Sequence, residues 1–390
     1  MIELLNYSYP NDLYIIWSLM IVIYPYITGV VAGAFVVSSL YHVFGGKELK
    51  PVARFSLLTS FAFLCFAAVP LLNHLGHPER AFNIIFTPNF SSAMAGFGFL
   101  LNLYLTIIIL EIWFVFRKDI IEMARENRGF KRLFYAVLAL GVYDTSEEAL
   151  KKDDKIIKVL SAIGIPAACL LHGYVGFLFG ALKSNPWWST PLMPIIFLFS
   201  AMVSGIAMII VLYQIIMKFK GWSIDQKCLQ SLCNWLWLFL IVTSVLEVLE
   251  IVVLAYERAE EWEVISKLIV YKLSFSYISL QMILGALIPF ILLMIIVVMS
   301  PYLHERVRNS LAMASSLLLL LQVFAMRWNV VIGGQLFSKS LRGFRDYHPA
   351  FLGKEGILVA IIILAAPLIV LTILHKILPP FVHLEEEHLG

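Results

Sequence analysis

Nine long apolar runs, near 15–44, 52–74, 93–116, 156–182, 192–218, 231–256, 277–300, 309–333 and 356–379, constrain this chain more than any other feature. Each approaches or exceeds the roughly 20 residues that carry a helix across ~30 Å of hydrocarbon. Inside hydrocarbon a backbone must satisfy its own hydrogen bonds, which leaves helices or a closed barrel, and these runs are too long and too uniformly apolar for barrel strands. The expected fold is all-α, a polytopic transmembrane helical bundle of about nine spans. With 61% apolar and 14% charged residues among 390, the whole of 1–390 reads as one integral membrane domain. The first run outlasts a signal-peptide core and no small-residue cleavage site follows it, so it is expected to stay as span one.

A formal net charge of +3 says little about partners in such a protein; the lipid bilayer is the expected one, and nucleic acid is not. Cys65, Cys169, Cys228 and Cys233 show no C-x-x-C spacing, so neither a zinc nor an iron–sulfur site is implied.

The distribution of Lys and Arg is informative. The ends joined by the loops after spans one, three, five, seven and nine carry 18 of them, including nine between Arg117 and Lys155, against nine on the opposite side. The positive-inside rule then puts the N-terminus outside and the C-terminus in the cytoplasm. The organisation read from this is 15–116 (spans one to three with the loop between two and three), a cytoplasmic loop 117–155, spans four to seven in 156–300, and spans eight and nine with a cytoplasmic tail in 301–390. Phe134–Tyr143 (FYAVLALGVY) is short and flanked by Lys131, Arg132, Glu147 and Lys151. It reads as an interfacial amphipathic segment; a tenth, re-entrant span would invert everything after it.

Ionisable side chains at membrane depth are expensive and mark candidate functional positions. Glu247 and Glu250 lie nine and six residues short of the outer end of span six, and Arg327 six short of the outer end of span eight. Equal heights predict an Arg327–Glu250 ion pair with Glu247 one turn deeper, either a tie between two helices or a proton-handling or substrate-facing group. Tyr24 and Thr28 in span one, Asn73 and His74 at the end of span two, His172 in span four, Gln281, Asn329 and Gln335 fall in the same outer half. Such a layer suits a lipid-soluble substrate entering between helices. Individually, His172 also reads as a hydrogen-bonded interior histidine, and Tyr24 as an interface-belt tyrosine.

The stretch Asn73 to Asn83 (NHLGHPERAFN) ends span two at its outer mouth. Gly76 and Pro78 stop the helix, and Arg80 is placed to meet the terminal carbonyls or Glu79. His74, the last ring before water, can hydrogen-bond a quinone carbonyl and exchange its proton with bulk solvent near neutral pH. A bis-histidine haem is not expected, because His172 lies about ten residues, roughly 15 Å, deeper than His74.

These residues resemble the NrfD/PsrC-type membrane subunits of respiratory oxidoreductases: the anchors of polysulfide reductase, of a hydrogenase-2-type enzyme and of alternative complex III. The resemblance runs from Tyr24 to Pro380 and rests on His74-Leu-Gly-His-Pro-Glu-Arg80, Pro88-Asn89-Phe-Ser-Ser92, Asn185-Pro-Trp-Trp188, Pro194 to Gly205 (PIIFLFSAMVSG) and Arg327 to Gln335 (RWNVVIGGQ). It implies four-helix-bundle units and a menaquinone site near the outer face, with no haem or iron–sulfur cluster in this protein. The implied partners are a ferredoxin-like iron–sulfur subunit on the outer face and, through it, a molybdopterin or other catalytic subunit, in the cytoplasmic membrane of a prokaryote. His74 stands where many members have Asp in D-L-G-x-P-x-R, and H-L-G-x-P-x-R-A-F-N is similar to the dimethyl sulfoxide reductase anchor. Tyr24 stands where the polysulfide reductase anchor has a quinone-contacting histidine. Glu250 matches an acidic position of several members and Arg327 a basic one of the hydrogenase-type anchor.

The expected function is an anchor subunit that exchanges electrons between menaquinone and an outer-face iron–sulfur protein. His74 is the expected quinone ligand and proton acceptor, with Tyr24, Thr28, Asn73, Gly76 and Arg80 around it; Glu247, Glu250, Arg327 and His172 form a proton path or buried charge cluster; no metal ligand is expected. A secondary transporter, which broken half-helices in corresponding positions would favour, and a passive anchor without quinone chemistry are the competing readings.

Overall fold

The computed structural model describes residues 14–257, 259–338, 341 and 343–381. Nine helices in it are long and apolar enough to cross a membrane: Leu19–His42, Lys47–His74, Ala93–Glu126, Glu147–Gly180, Met193–Lys220, Gln226–Glu257, Ser274–Val298, Glu305–Gln335 and Ile357–Ile377, here spans one to nine. The described residues form no strand, only an isolated bridge between Phe337 and Phe344. The polytopic helical bundle is the fold. The tail beyond residue 381 lies outside the described residues.

Several helices outrun their apolar cores. Span three continues to Glu126 and span four begins at Glu147, because hydropathy marks only the hydrocarbon-crossing part of a helix. Their polar extensions are tied by a buried Arg117–Asp153 ion pair of 2.5 Å and by Arg54 of span two with Asp119. Ser146 starts span four by accepting from the Ala149 amide at 3.3 Å, with Glu147 and Glu148 in the first turn, a favourable N-terminus by both hydrogen bonding and dipole. Gly221, in the left-handed conformation at φ 70°, ends span five after Lys218 and Lys220.

FYAVLALGVY overlaps a separate ten-residue helix, Gly129–Leu138, about 15 Å long and so too short to cross. Phe130, Leu133 and Val137 are exposed on it. On the other side the Tyr135 hydroxyl donates to the Ile377 carbonyl at 2.9 Å, and the Trp113 indole donates to the Leu138 carbonyl at 2.9 Å. It is held at the end of spans three and nine.

Span one is the axis of the bundle. Leu19 to Phe35 are all buried, as a helix apolar on every side should be, and it packs on spans five, two, four and eight. The approach to span five is close because both helices present glycine. A Cβ on Gly33 would run into the Ala201 carbonyl and Gly205, and one on Gly205 into Gly33 and Ala34. Small residues of this kind let membrane helices meet backbone to backbone. Spans three and four pack together, as do four and five; spans six, seven and eight gather on the other side of five, and span nine lies on two.

Two spans are irregular. Span two breaks between the helices Lys50–Leu64 and Val69–His74, with Pro70 opening the second. Span seven is wound as a π-helix over Ser274–Leu287 before becoming α-helical at Ile288–Val298, a rare winding that recurs at functional positions. Gly285 in it abuts Gln322 of span eight, whose side chain a Cβ would strike.

Gly205→Val should wedge spans one and five apart and cost about 1–3 kcal/mol, read as a lower unfolding temperature in lipid nanodiscs. Gly173→Ala, whose added carbon would meet nothing closer than 3.8 Å, should change stability by less than about 0.5 kcal/mol.

Candidate functional site

The helix Val69–His74 ends because Leu75 turns extended, at φ −61° and ψ 136°. Three contacts then clasp its end to the segment before span nine. His74 Nδ1 lies 3.1 Å from both carboxylate oxygens of Glu355. The Asn73 side-chain amide donates to the Lys354 carbonyl, and Lys354 Nζ donates to the Leu75 carbonyl at 2.9 Å. Lys354, not Arg80, therefore meets a carbonyl left open by the helix end. Arg80 and Gly76 are exposed, and Glu79 pairs with His77 at 2.9 Å rather than with Arg80. The short turn Pro78–Arg80 redirects these side chains away from the helix end.

His74 is part-buried, with 21% of its side chain exposed. Since Nδ1 faces a carboxylate, it carries the proton, and Nε2 is the nitrogen left for a ligand. The neighbouring Tyr347 hydroxyl accepts from the Leu19 amide at 2.9 Å; burial, then the Glu355 charge, hold it above the ordinary phenol range. The segment before span nine thus touches the ends of both span one and span two.

Tyr24 and Thr28 are buried inside span one. Thr28 spends its hydroxyl on the Tyr24 carbonyl at 3.1 Å, and the Tyr24 ring packs edge-on against Phe97 of span three at 5.2 Å between centroids. The Tyr24 hydroxyl has no hydrogen-bond partner. No hydrogen bond among the described residues joins either side chain to His74.

Further into the bundle lies a fully buried cation. Arg327 Nη2 donates to Ser200 Oγ at 2.7 Å and to the Phe197 carbonyl at 3.4 Å, and approaches His172 Nε2 at 3.1 Å. Its guanidinium carbon sits 3.9 Å from the centroid of the Phe197 ring, a cation–π contact whose worth grows with desolvation. A guanidinium offers only donors, so His172 must accept at Nε2 and hold its proton at Nδ1.

The ion pair expected between Arg327 and Glu250 is not formed. Glu247 of span six instead accepts from Gln281 Nε2 at 2.9 Å and Gln322 Nε2 at 3.1 Å, and Glu250 keeps a buried oxygen without a partner. The chain of bonds continues from Gln281 to Asn329 at 2.8 Å and from Asn329 to Ser276 at 2.6 Å. Gln322 and Asn329 face spans six and seven. Arg327, about 140° and 200° around the helix from them at 100° per residue, faces spans four and five. Matching heights do not fix matching faces. Glu247, Glu250, Trp187, Tyr277, Gln281 and Asn329 line a narrow cleft.

Asn185-Pro-Trp-Trp188 holds the end of span eight. Asn185 Nδ2 donates to the Gly334 carbonyl at 2.7 Å, Trp187 Nε1 to Asn329 at 3.0 Å and Trp188 Nε1 to Val330 at 2.6 Å. These are carbonyls of a helix end, which need outside donors. Gly334 is required there because a Cβ would collide with the Trp188 indole. Gln335 exchanges two bonds with the Trp17 backbone, each 3.0 Å.

Glu355, Lys354 and Gln322 are the site residues that reading the sequence passes over; Ser200 and Trp187 fall inside motifs that carry the resemblance, with no role read for them. Gly353-Lys354-Glu355-Gly356 carried a signal, a charged pair between glycines just before a span at the same end as His74. Gln322 carried a weaker one, an amide inside an apolar run. Among the described residues no group of three or more His, Cys, Asp or Glu is placed to hold a metal ion.

The family model described as polysulphide reductase, NrfD, matches residues 9–339. This protein belongs to the NrfD family. It is 35% identical over 202 residues to the C subunit of selenate reductase from Mesobacillus selenatarsenatis, covering 50% of this protein and 47% of that one. Protein NrfD of Escherichia coli strain K12 is 27% identical over 201 residues, 50% of this protein and 59% of the relative. The C component of polysulfide reductase from Wolinella succinogenes is 25% identical over 196 residues, 50% and 56%. The protein spans about half the length of the curated relatives it matches. The family match takes in the His74 end of span two, the Asn185–Trp188 clasp and the Arg327 cluster, and stops short of Lys354 and Glu355.

Asn329→Leu should strand the Gln281 carbonyl and the Ser276 hydroxyl and destabilise the protein by about 1–3 kcal/mol for each group left buried and unpaired. Adding Gln281→Leu should cost less in that background than alone, which a double-mutant cycle on unfolding temperature reads as coupling.

Proposed function

We propose that this protein is the membrane subunit of a reductase-type oxidoreductase complex, exchanging electrons between a menaquinone-type quinone and an iron–sulfur subunit at the outer face. Family membership and the reductase-subunit names of its relatives support the role as an anchor. The observation that carries the quinone reading is the His74–Glu355 pair: a part-buried imidazole at the mouth of a span, Nδ1 held by a carboxylate, Nε2 left for a ligand. The Tyr24 hydroxyl, buried and unpartnered, offers a second polar group on the side of span one facing span three. A quinone supplies a carrier that takes up or releases two electrons with two protons.

When quinol is the donor, His74 takes its two protons at Nε2 one after the other, giving the first to water before accepting the second, and when quinone is the acceptor it delivers two in the same way. Glu355 fixes the ring orientation and stabilises the imidazolium that forms. The position at the bilayer edge lets the proton exchange with water. Asn73 and Lys354 hold the pair in register by tying both segments through their backbones. Electrons leave for the docked iron–sulfur, ferredoxin-like subunit, and pass through it to a molybdopterin-type catalytic subunit. In this reading the N-terminus lies outside, the C-terminus is cytoplasmic, and the host bilayer is the cytoplasmic membrane of a prokaryote, as the Lys and Arg distribution supports.

Glu247 and Glu250 serve this chemistry as a proton path through the cleft they share. The partnerless Glu250 oxygen favours that role, whereas Arg327 and His172, engaged with each other and with Ser200, act as a structural tie.

His74→Gln in the assembled complex should lower quinol-dependent turnover by about 10²-fold or more, the range for loss of a proton-transferring group, and spare activity with a soluble dye donor. Unchanged quinol turnover would refute the assignment. Glu355→Gln should have a smaller effect, about tenfold, the worth of one charge-assisted hydrogen bond of about 1.5 kcal/mol. Glu250→Gln should slow proton uptake by liposomes holding the complex, measured with an entrapped pH dye; uptake at the unaltered rate would leave the two glutamates with a packing role.

A further inference from the structure

Span three carries a carboxylate that belongs to neither cluster. Glu111 lies within the helix Ala93–Glu126 with none of its surface exposed. Its Oε1 accepts a 2.5 Å bond from Ser161 Oγ of span four. Its Oε2 is buried with no partner. A carboxylate at membrane depth with one bare oxygen is costly to keep charged, and an ionisable residue there is a candidate for function.

The surroundings differ at its two ends. Toward the 117–155 loop, spans three and four border an open cleft lined by Trp113, Phe114, Asp144 and Ile156, with the Arg117–Asp153 pair in its wall; Glu111 and Ser161 are not in that lining. Trp113 is two residues from Glu111 along span three, and Ile156 five from Ser161 along span four, or ~3 and ~8 Å of helix rise. On the opposite side Gly164 of span four packs against Phe35 of span one. Tyr104, two turns from Glu111, shares its hydroxyl with Ser60 at 3.3 Å, and Ser60 donates to the Val31 carbonyl. The ionisable groups around Glu111 are therefore Tyr104 on its own helix, Cys169 of span four beyond it, and at the cleft Arg117, Asp144, Lys152 and Asp153. Arg117 is already engaged by Asp153 and by the Asp144 carbonyl at 3.0 Å, and no ion pair among the described residues includes Glu111.

We propose that Glu111 is a proton-loading site. Its Oε2 takes up a proton that enters through the cleft between spans three and four from the end carrying the 117–155 loop, while Ser161 holds Oε1 in both states. The step is a proton transfer alone: an O–H bond forms at Oε2 on loading and breaks on release, and no electron moves. The site is separate from His74 and stands whether or not that histidine binds a quinone.

The test is labelling by dicyclohexylcarbodiimide, which reacts with a protonated carboxyl in apolar surroundings, on the full-length protein in its complex in liposomes. Orientation is set by protease access to the 117–155 loop, and labelled peptides are mapped by mass spectrometry. Labelling at Glu111 should rise by up to about tenfold per pH unit when only the loop side is acidified, and should not respond to acidifying the other side. Ile156→Trp, which fills the cleft, should slow the response, and Glu111→Gln should abolish the labelled peptide. Three results would each overturn the proposal: no label at Glu111 at any pH, a response to the opposite side, or protection by sodium at fixed pH, which would mark a metal-cation site. The labelling is read on the unaltered protein, so it does not depend on any variant folding.

Discussion

The contact of Gly33 with Gly205 is what the rest of the bundle depends on. In hydrocarbon there is no hydrophobic force to press two apolar helices together; close packing of backbones has to do it. Because these glycines let span one lie directly on span five, the other spans can close around it and bury Leu19 to Phe35 completely. The same contact sets the height of Ser200 and Ser204 beside His172, since Gly29, one turn along span one, faces Ser204 and the His172 ring. Arg327 then finds its donors' partners already in place. A buried guanidinium without a carboxylate is tolerable only when hydroxyl, imidazole, carbonyl and aromatic face together replace its water, and spans four and five present all four.

Helix ends are the second theme. An interrupted helix leaves carbonyls unpaired, and inside or near a bilayer they must be met by side chains. Span eight ends under Asn185, Trp187 and Trp188, and span two ends under Lys354. Each clasp brings a functional candidate with it: Asn329 enters the Glu247 network beside one, and His74 meets Glu355 at the other. Part of the polar chemistry of this protein lies where regular helix gives out. The π-wound part of span seven fits the same pattern, carrying Tyr277 and Gln281 into the cleft.

The number of spans was legible from hydropathy, because a bilayer imposes one length and one dielectric on every segment that crosses it, and the 134–143 segment, which overlaps the helix Gly129–Leu138, was legible as too short to cross. Heights were legible too: Arg327, Glu247 and Glu250 do lie in the same part of the bundle. Rotation was not. Whether Arg327 meets Glu250 or His172 turns on about 140° of helix azimuth, which depends on which spans are neighbours, and nothing in a run of apolar residues states that. Glu111 marks the same boundary differently. It lies five residues before the expected end of span three, where hydropathy alone cannot tell an acid reaching out to the interface from one sealed between spans.

The sequence by itself determined a nine-span helical bundle, membership of a family through its motifs, and a short set of polar residues that the membrane makes expensive. Only the tertiary structure decided their partners: His74 with Glu355, Glu247 with two glutamines, Arg327 with His172 and Ser200, Glu111 with Ser161. The physical reason is that depth follows from counting residues along one helix, whereas partnership follows from the packing of several, set here by where glycine lets two backbones touch.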